Sequence, residues 1–323
     1  IDTAGIDLDD IFEAPLQQCK AGEEILCLPW GTDIYALFWN KDLFEDAGLD
    51  PETPPATMEE LVEFADKLTI RDDNGDLVQV GFIPDFSWSH LDLYVRMMGG
   101  FWYTEDGTEL RLDSTPMVDA MNWEQQFYTK YGTEDVLTFT SALGGYMSPD
   151  MGFYSGKVAM MVDGEWQVGP NFISNLKPEL NYGVAPFPYP EGHPERALTG
   201  VVQGTVALIP SGVENKEAAA KLLGWMMSPE IVAEEMYANF NLPTNKQAAE
   251  DPRFLENEKF QVFMDLMASP NAHYIITTPI SVELNDEIYR IEEQVLHAGA
   301  DPLTLLEAAQ EEYSPKLEEA LTE

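Results

Sequence analysis

Ile34-Tyr35-Ala36-Leu37-Phe38-Trp39 is the longest unbroken apolar run in the chain. It carries large side chains at consecutive positions, so both faces of a strand built from it are apolar. Such a strand has to be buried between two layers, as strands of an α/β sheet are when helices cover both sides. Upstream, Ile25 to Pro29 reads as a second β-rich run. Downstream, Pro54 to Thr69 reads as a helix: Thr57 and Glu60 have the spacing of a capping box, and Met58, Leu61, Val62, Ala65 and Leu68 share one face. The same reading gives strands at Val158 to Val162 and Thr205 to Ile209, and helices at Asn215 to Met227 and Ser281 to His297. A final helical region is opened by Asp301-Pro302 and interrupted near Pro315. Asp72, Asn74 and Asp76 are spaced like calcium-loop ligands, but Gly75 is misplaced and Ile83 stands where the closing acid belongs. Asn74-Gly75 is better read as a hairpin turn. Alternating strands and helices predict α/β layers.

Composition narrows the partners. The 323 residues hold 17 Lys+Arg against 58 Asp+Glu, a formal charge of −41. A field of that sign repels nucleic acid, polyphosphates and anionic membrane surfaces. The apolar runs fall well short of the roughly 20 residues that cross a bilayer. Length suggests roughly two domains. Ile1 to Asp10 has no signal-peptide pattern. Cys19 and Cys27 leave two readings open, a pair of small apolar residues or a short disulfide loop, the second requiring an oxidising compartment. Neither CxxC spacing nor adjacent histidines suggest zinc.

Catalytic motifs are missing: there is no GxSxG, phosphate-binding GxxxxGK[ST], GxGxxG or HExxH string. His90, His193, His273 and His297 are scattered and read as surface or capping residues. A paired-carboxylate glycosidase would leave no motif, so it stays as a minor alternative. The positive signal is aromatic. Trp30-Gly31-Thr32-Asp33, Phe86-Ser87-Trp88, Gly100-Phe101-Trp102-Tyr103, Gly144-Gly145-Tyr146 and Gly164-Glu165-Trp166 set rings beside glycine and polar groups where no helix or strand period requires them. An indole face covers the C–H face of a sugar ring, while a neighbouring carboxylate or amide takes the hydroxyl hydrogen bonds; an uncharged polyol needs no cation. The competing reading of each ring is core packing beneath a loop.

Several segments, in order, resemble extracellular solute-binding proteins of sugar ABC transporters, the maltose-binding protein group. They are Leu28-Pro29 with Ile34 to Phe44, Ala47-Gly48-Leu49, Pro55 to Leu61, Phe153 to Trp166, Tyr182 to Pro188, and Asn215 to Ala219 running on to Ser228-Pro229-Glu230. The resemblance spans essentially the whole chain. It implies a two-lobed α/β fold, with a hinge and a cleft that closes on ligand, and no catalysis or cofactor. By position it implies that Asp33 accepts sugar hydroxyls, that Trp166 stacks on a sugar face and that Trp88 lies near a second stacking aromatic. Trp30, Trp102, Tyr146 and Gln203 are further ligand-binding candidates in loops bordering the cleft. Met58 and Trp39 depart from the family's usual Trp and Tyr as packing changes.

The lobes expected are residues 1–35 with 201–248, and 36–200 with 249–323. The first would be incomplete, since family members begin with further βα units; exposed edges and an apolar face would follow. The partners implied are a carbohydrate and a membrane permease. The protein would be a monomer, periplasmic or extracellular, lipid-anchored at the cell surface. A polyol, peptide or glycerophosphodiester on the same fold is the alternative ligand.

Overall fold

The computed structural model describes residues 4–21 and 24–322. In chain order the strands are β1 (Lys20–Ala21), β2 (Glu24–Ile25), β3 (Leu28–Asn40), β4 (Ile70–Arg71), β5 (Leu77–Phe82), β6 (Val158–Gly164), β7 (Tyr182–Ala185), β8 (Gly200–Ala207), β9 (Leu242–Pro243) and β10 (Ala272–Tyr274). The helices are α1 (Glu13–Gln17), α2 (Lys41–Asp46), α3 (Met58–Lys67), α4 (Leu91–Met97), α5 (Thr115–Tyr131), α6 (Thr133–Ser141) and α7 (Ile173–Leu176). They continue as α8 (Lys216–Met226), α9 (Pro229–Asn239), α10 (Lys246–Ala249), α11 (Pro252–Leu255), α12 (Glu258–Met267), α13 (Ser281–Ala298) and α14 (Pro302–Thr322).

The two β-rich runs expected to be separate strands belong mostly to one. β3 is 13 residues long and passes straight through Trp30-Gly31-Thr32-Asp33, which had read as a loop. Tertiary pairing is the reason. β8 fills one edge of β3 from Leu28 to Ile34 and β7 takes over that edge from Leu37 to Asn40. On the other edge β9 pairs with Gly31 and Thr32, and β6 pairs from Tyr35 to Trp39. A shift in register between Pro29 and Gly31 leaves Trp30 at a bulge. Asp33, Ile34 and Tyr35 therefore lie where β3 exchanges one set of partners for the other. The main path of the sheet is β10-β8-β3-β6-β5-β4. β5–β6 and β10–β8 are parallel, and the long connection between β5 and β6 carries α4, α5 and α6, as a parallel crossover must.

The double-sided character of the central run is realised. Ile34, Ala36 and Phe38 enter a core with Phe153, Met161, Phe260 and Phe263. Leu37 and Trp39 face another core with Phe82, Tyr94, Phe127 and Ile288. Full burial of each such large side chain contributes on the order of 1.5–3 kcal/mol. At the end of the strand the Asn40 carbonyl oxygen of the side chain accepts from the backbone N–H groups of Asp42 and Leu43, at 3.1 and 3.2 Å, so sheet turns into helix without a loop. Trp39 is buried and its indole N–H donates to the Pro51 carbonyl at 2.9 Å; Met58 is buried at the start of α3.

The Thr57/Glu60 capping box is formed, and Asp72-Asn74-Gly75 makes the turn of an antiparallel β4–β5 hairpin. Two boundaries move. β8 spans Gly200–Ala207 rather than 205–209, because its first three residues pair with β10 and the rest with β3. α14 runs through Pro315 uninterrupted. That residue is exposed, so the carbonyl it leaves unpaired one turn earlier faces water. Cys19 and Cys27 are disulfide-bonded, with Cα atoms 4.9 Å apart. Apolar side chains are exposed at Val206, Leu208, Leu222 and Trp225, and α8 contributes no buried residue. No helix among the described residues is long and apolar enough to cross a membrane.

Candidate functional site

Asp33 and Tyr35 are two residues apart on β3 and so project from the same face of the strand. Directly across the ladder, Gln203 of β8 pairs with Asp33 and Gly164 of β6 pairs with Tyr35. The glycine has a steric cause. A Cβ at position 164 would stand 2.2 Å from a ring atom of Trp166, so the indole folds back over its own strand only because position 164 carries no side chain. Trp166 meets Tyr35 edge-on with ring centroids 6.2 Å apart, and lies 6.4 Å from Trp88 at an interplanar angle of 35°. Tyr146 meets Trp88 edge-on at 4.9 Å. His90 completes the group, 5.1 Å from Tyr35 and 5.4 Å from Trp88.

Polar contacts fix the rings. The Trp166 indole N–H donates to the Tyr146 hydroxyl at 2.7 Å, and that hydroxyl donates to Asp163 Oδ1 at 3.0 Å. Gln167 Nε2 donates to Asp163 Oδ2 at 2.8 Å and to the Tyr146 oxygen at 3.2 Å. The Asn241 amide donates to both Asp33 and Glu165, the second bond being 3.1 Å long, while Glu165 Oε2 accepts from the Ile34 N–H at 3.1 Å. Three carboxyls thus sit under or beside the rings. Burial pushes Asp163 up to about 7, against hydrogen bonds from Gly164, Tyr146 and Gln167. Burial and then the Asp33 charge push Glu165 well above the ordinary carboxylate range. Burial raises Asp33 too, with hydrogen bonding to Glu165 and Asn241 opposing. Each carboxyl of the Asp33–Glu165 pair is thus held above its ordinary range, chiefly by burial.

The candidates from the sequence divide. Asp33, Trp88, Tyr146, Trp166 and Gln203 come together around β3, although Gln203 and Asp33 are on strands rather than in loops. Trp30 is half-buried and packs against two cores, its indole N–H without an acceptor among the described residues. Trp102 does not join them: it is 5% exposed and packed in the core built on Leu37 and Trp39. The two indoles do not face each other across a ligand-sized gap. At 6.4 Å between centroids they are in contact, whereas a pyranose sandwiched between them needs roughly two van der Waals spacings of 3.5–4 Å. Trp88 and Trp166 form one wall.

His90 departs furthest from a surface histidine, and His273 is partly buried against Phe101 as well. His90 stands at the N-cap position of α4, but its ring is 3% exposed, both nitrogens lack a hydrogen-bond partner among the described residues, and burial pushes it down to about 3. His193 is exposed. Tyr35, Glu165, Gln167 and Asn241 were missed. Tyr35 was legible as the same-face neighbour of Asp33; Asn241 is 208 residues from Asp33 and has no local signal.

Two loops bearing these rings contain left-handed residues, Ser87 at φ 77° and Met147 at φ 59°, a cost that surrounding packing has to hold. A cavity of about 290 Å³ beside Tyr146 and one of about 320 Å³ beside Trp88 are both lined by Asp85 and His297. A cavity of about 510 Å³ between β5 and α6 holds none of these side chains. Among the described residues no three His, Cys, Asp or Glu side chains converge as metal ligands.

Comparison with known proteins gives one family model, described as bacterial extracellular solute-binding protein, matching residues 3–233. The sn-glycerol-3-phosphate-binding periplasmic protein UgpB of Escherichia coli (strain K12) is 26% identical over 271 residues, covering 76% of this chain. The chain spans 56% of that relative's length. Among solved structures, CpMnBP1 with mannotriose bound superposes with a TM-score of 0.84 at 27% identity, covering 95% of this chain and 78% of that one. The sugar-binding protein MalE from Xanthomonas citri, at 17% identity and a TM-score of 0.78, covers 96% of this chain and 75% of its own, and shares the fold. Family and neighbours are binding proteins.

Proposed function

The chain belongs to the bacterial extracellular solute-binding protein family, and from that premise we propose that it binds an uncharged oligosaccharide and delivers it to an ABC-transporter permease. The observation that carries this reading is the contiguous aromatic wall of Trp88, Trp166, Tyr35 and Tyr146, rimmed by Asp33 and Gln203. Indole faces supply apolar contact for sugar C–H groups, and Asp33 and Gln203 supply acceptors and donors for hydroxyls. Trp166 is the primary stacking residue and Trp88 extends the surface.

The same site argues against a phosphate ester, although the UgpB relative is named for one. No Lys or Arg among the described residues is hydrogen-bonded to or stacked within the cluster, and three carboxyls lie in it. A phosphate dianion there would meet repulsion without a counter-charge. The resemblance to CpMnBP1 with mannotriose bound makes β-linked or α-linked manno-oligosaccharides the first to try.

Residues 1–35 with 201–248 would move as one lobe and 36–200 with 249–323 as the other, the exchange point on β3 acting as a hinge strand. Closure then follows from ligand contacting both lobes, since ligand shifts a conformational equilibrium only by its differential affinity. The protein would work as a monomer outside the cytoplasmic membrane, lipid-anchored at the cell surface.

Calorimetry tests the ligand class. Mannotriose, maltotriose and sn-glycerol 3-phosphate are titrated into the protein and into Trp166→Ala. A neutral trisaccharide should bind, more weakly in the variant by about 1 kcal/mol or more, roughly fivefold. Binding of the glycerol phosphate alone, or of no saccharide, would overturn the assignment. Small-angle scattering should show compaction with the bound sugar; an unchanged radius of gyration would remove the closure step.

A further inference from the structure

The chain has six arginines, and five of them, Arg71, Arg111, Arg196, Arg253 and Arg290, each have a carboxylate oxygen within 4.0 Å. Arg96 has none among the described residues, in a chain with 58 acids to offer. It is also deeply buried, at 7% exposure. Its guanidinium lies over the Phe101 ring at 3.8 Å, and Nη2 donates to the Tyr274 carbonyl at 3.4 Å, a long bond. Nη1 has no acceptor among the described residues. Burial pushes the group down only to about 10, so it remains a cation at neutral pH. Taking a guanidinium out of water is strongly unfavourable unless an acceptor of opposite charge replaces the solvent.

Trp102 explains where that acceptor belongs. Its indole N–H is buried without an acceptor among the described residues, and Trp102 and Arg96 line the same cavity, about 230 Å³, under the segment that leads into α13. Two residues that each carry an unsatisfied donor, one of them charged, line one space. Ile275, Ile276 and Val282 give that space an apolar wall. Asp92, one turn before Arg96, also lines it; burial pushes its carboxyl up to about 6, with Arg96 opposing. The volume equals that of roughly eight waters at about 30 Å³ each. None of the aromatic wall residues lines it.

We infer that this cavity is a second ligand site, which binds a short aliphatic carboxylate through Arg96 and the Trp102 indole N–H. The carboxylate oxygens accept from Nη1 and Nε1, and the alkyl end lies against the isoleucines and Val282. The geometry is that of a charge-assisted pair in a desolvated pocket, where such bonds are strongest.

The test is a titration of the ¹⁵N-labelled protein with sodium propionate, propionamide and sodium chloride, reading the indole N–H resonances. Trp102 is assigned by its loss in Trp102→Phe. Propionate should shift that resonance saturably, propionamide should not, and Arg96→Gln should weaken the response about tenfold or more. Trp166→Ala should leave it unchanged. Equal responses to propionate and propionamide, or a propionate response that is linear and matched by chloride, would overturn the site, and that comparison needs only the unmodified protein. An undiminished response in folded Arg96→Gln would overturn the role of the guanidinium.

Discussion

Gly164→Ala adds one methyl group where the Trp166 ring lies: a Cβ there would stand 2.2 Å from Cζ3 and 2.3 Å from Cη2. The backbone is no obstacle, since Gly164 has φ −88° and ψ 172°, extended values open to any residue. The effect is therefore purely one of volume. Overpacking costs about 1–3 kcal/mol, and the half-exposed indole can relieve part of it by swinging outward. That movement breaks the 2.7 Å bond from the indole N–H to Tyr146, worth about 1 kcal/mol net. Together the single substitution should destabilise the protein by about 2–3 kcal/mol. In a Trp166→Ala background the ring is gone and the sign should reverse, because alanine restricts the unfolded chain and stabilises by about 0.4–1 kcal/mol. Urea unfolding of the four proteins of this cycle gives the coupling, expected near 3 kcal/mol. Equal effects of Gly164→Ala in both backgrounds would refute the reasoning that position 164 is glycine for the sake of the ring. Saccharide affinity supplies a second readout: Gly164→Ala should fall towards Trp166→Ala, since either change dismantles the same wall.

Stability should fall between pH 6.5 and 8. Asp163 and Glu292, 1% and 4% exposed, are each pushed by burial to about 7, so the native state keeps protons that the unfolded chain has already released, and stability is lost as pH rises. His90 and His273, pushed down to about 3 and 4, act in the opposite sense but only below about 6.5. Glu292→Gln keeps an acceptor for the 2.8 Å bond from Ser89 and should flatten the slope of melting temperature in this range; an unchanged slope would exclude that group as a source. Reduction of Cys19–Cys27, which closes a loop of sequence separation 8, should lower stability by about 2.5 kcal/mol in urea unfolding, and no change would mean that the loop is already constrained by packing. Trp102→Phe should leave trisaccharide affinity unaltered in calorimetry, whereas a loss would return Trp102 to the sugar site.

The layered α/β character followed from residues 34–39 and the alternation of strands and helices around them, because side chains that are large and apolar at every position leave a strand nowhere to go but between two layers. Caps and turns at Thr57–Glu60 and Asn74-Gly75 were equally local, set by hydrogen bonds that span three or four residues. The ring in Gly164-Glu165-Trp166 was visible for a related reason, as glycine and indole are neighbours in space because they are neighbours in sequence.

The rest was decided by pairing between distant segments. Trp30 to Asp33 became strand because β8 and β9, roughly 170 and 210 residues later, close both its edges, and no local pattern encodes that. Trp102 and Trp166 follow similar glycine-containing strings, yet one ring is packed in a core and the other stays partly open. Only the neighbours supplied by other elements separate them. Asn241 joining Asp33 to Glu165, and Arg96 left without an acid among the described residues of an acidic chain, are likewise facts of three-dimensional proximity. Sequence fixes which chemistry each residue can perform; the fold determines which residues share a dielectric and a distance short enough to perform it.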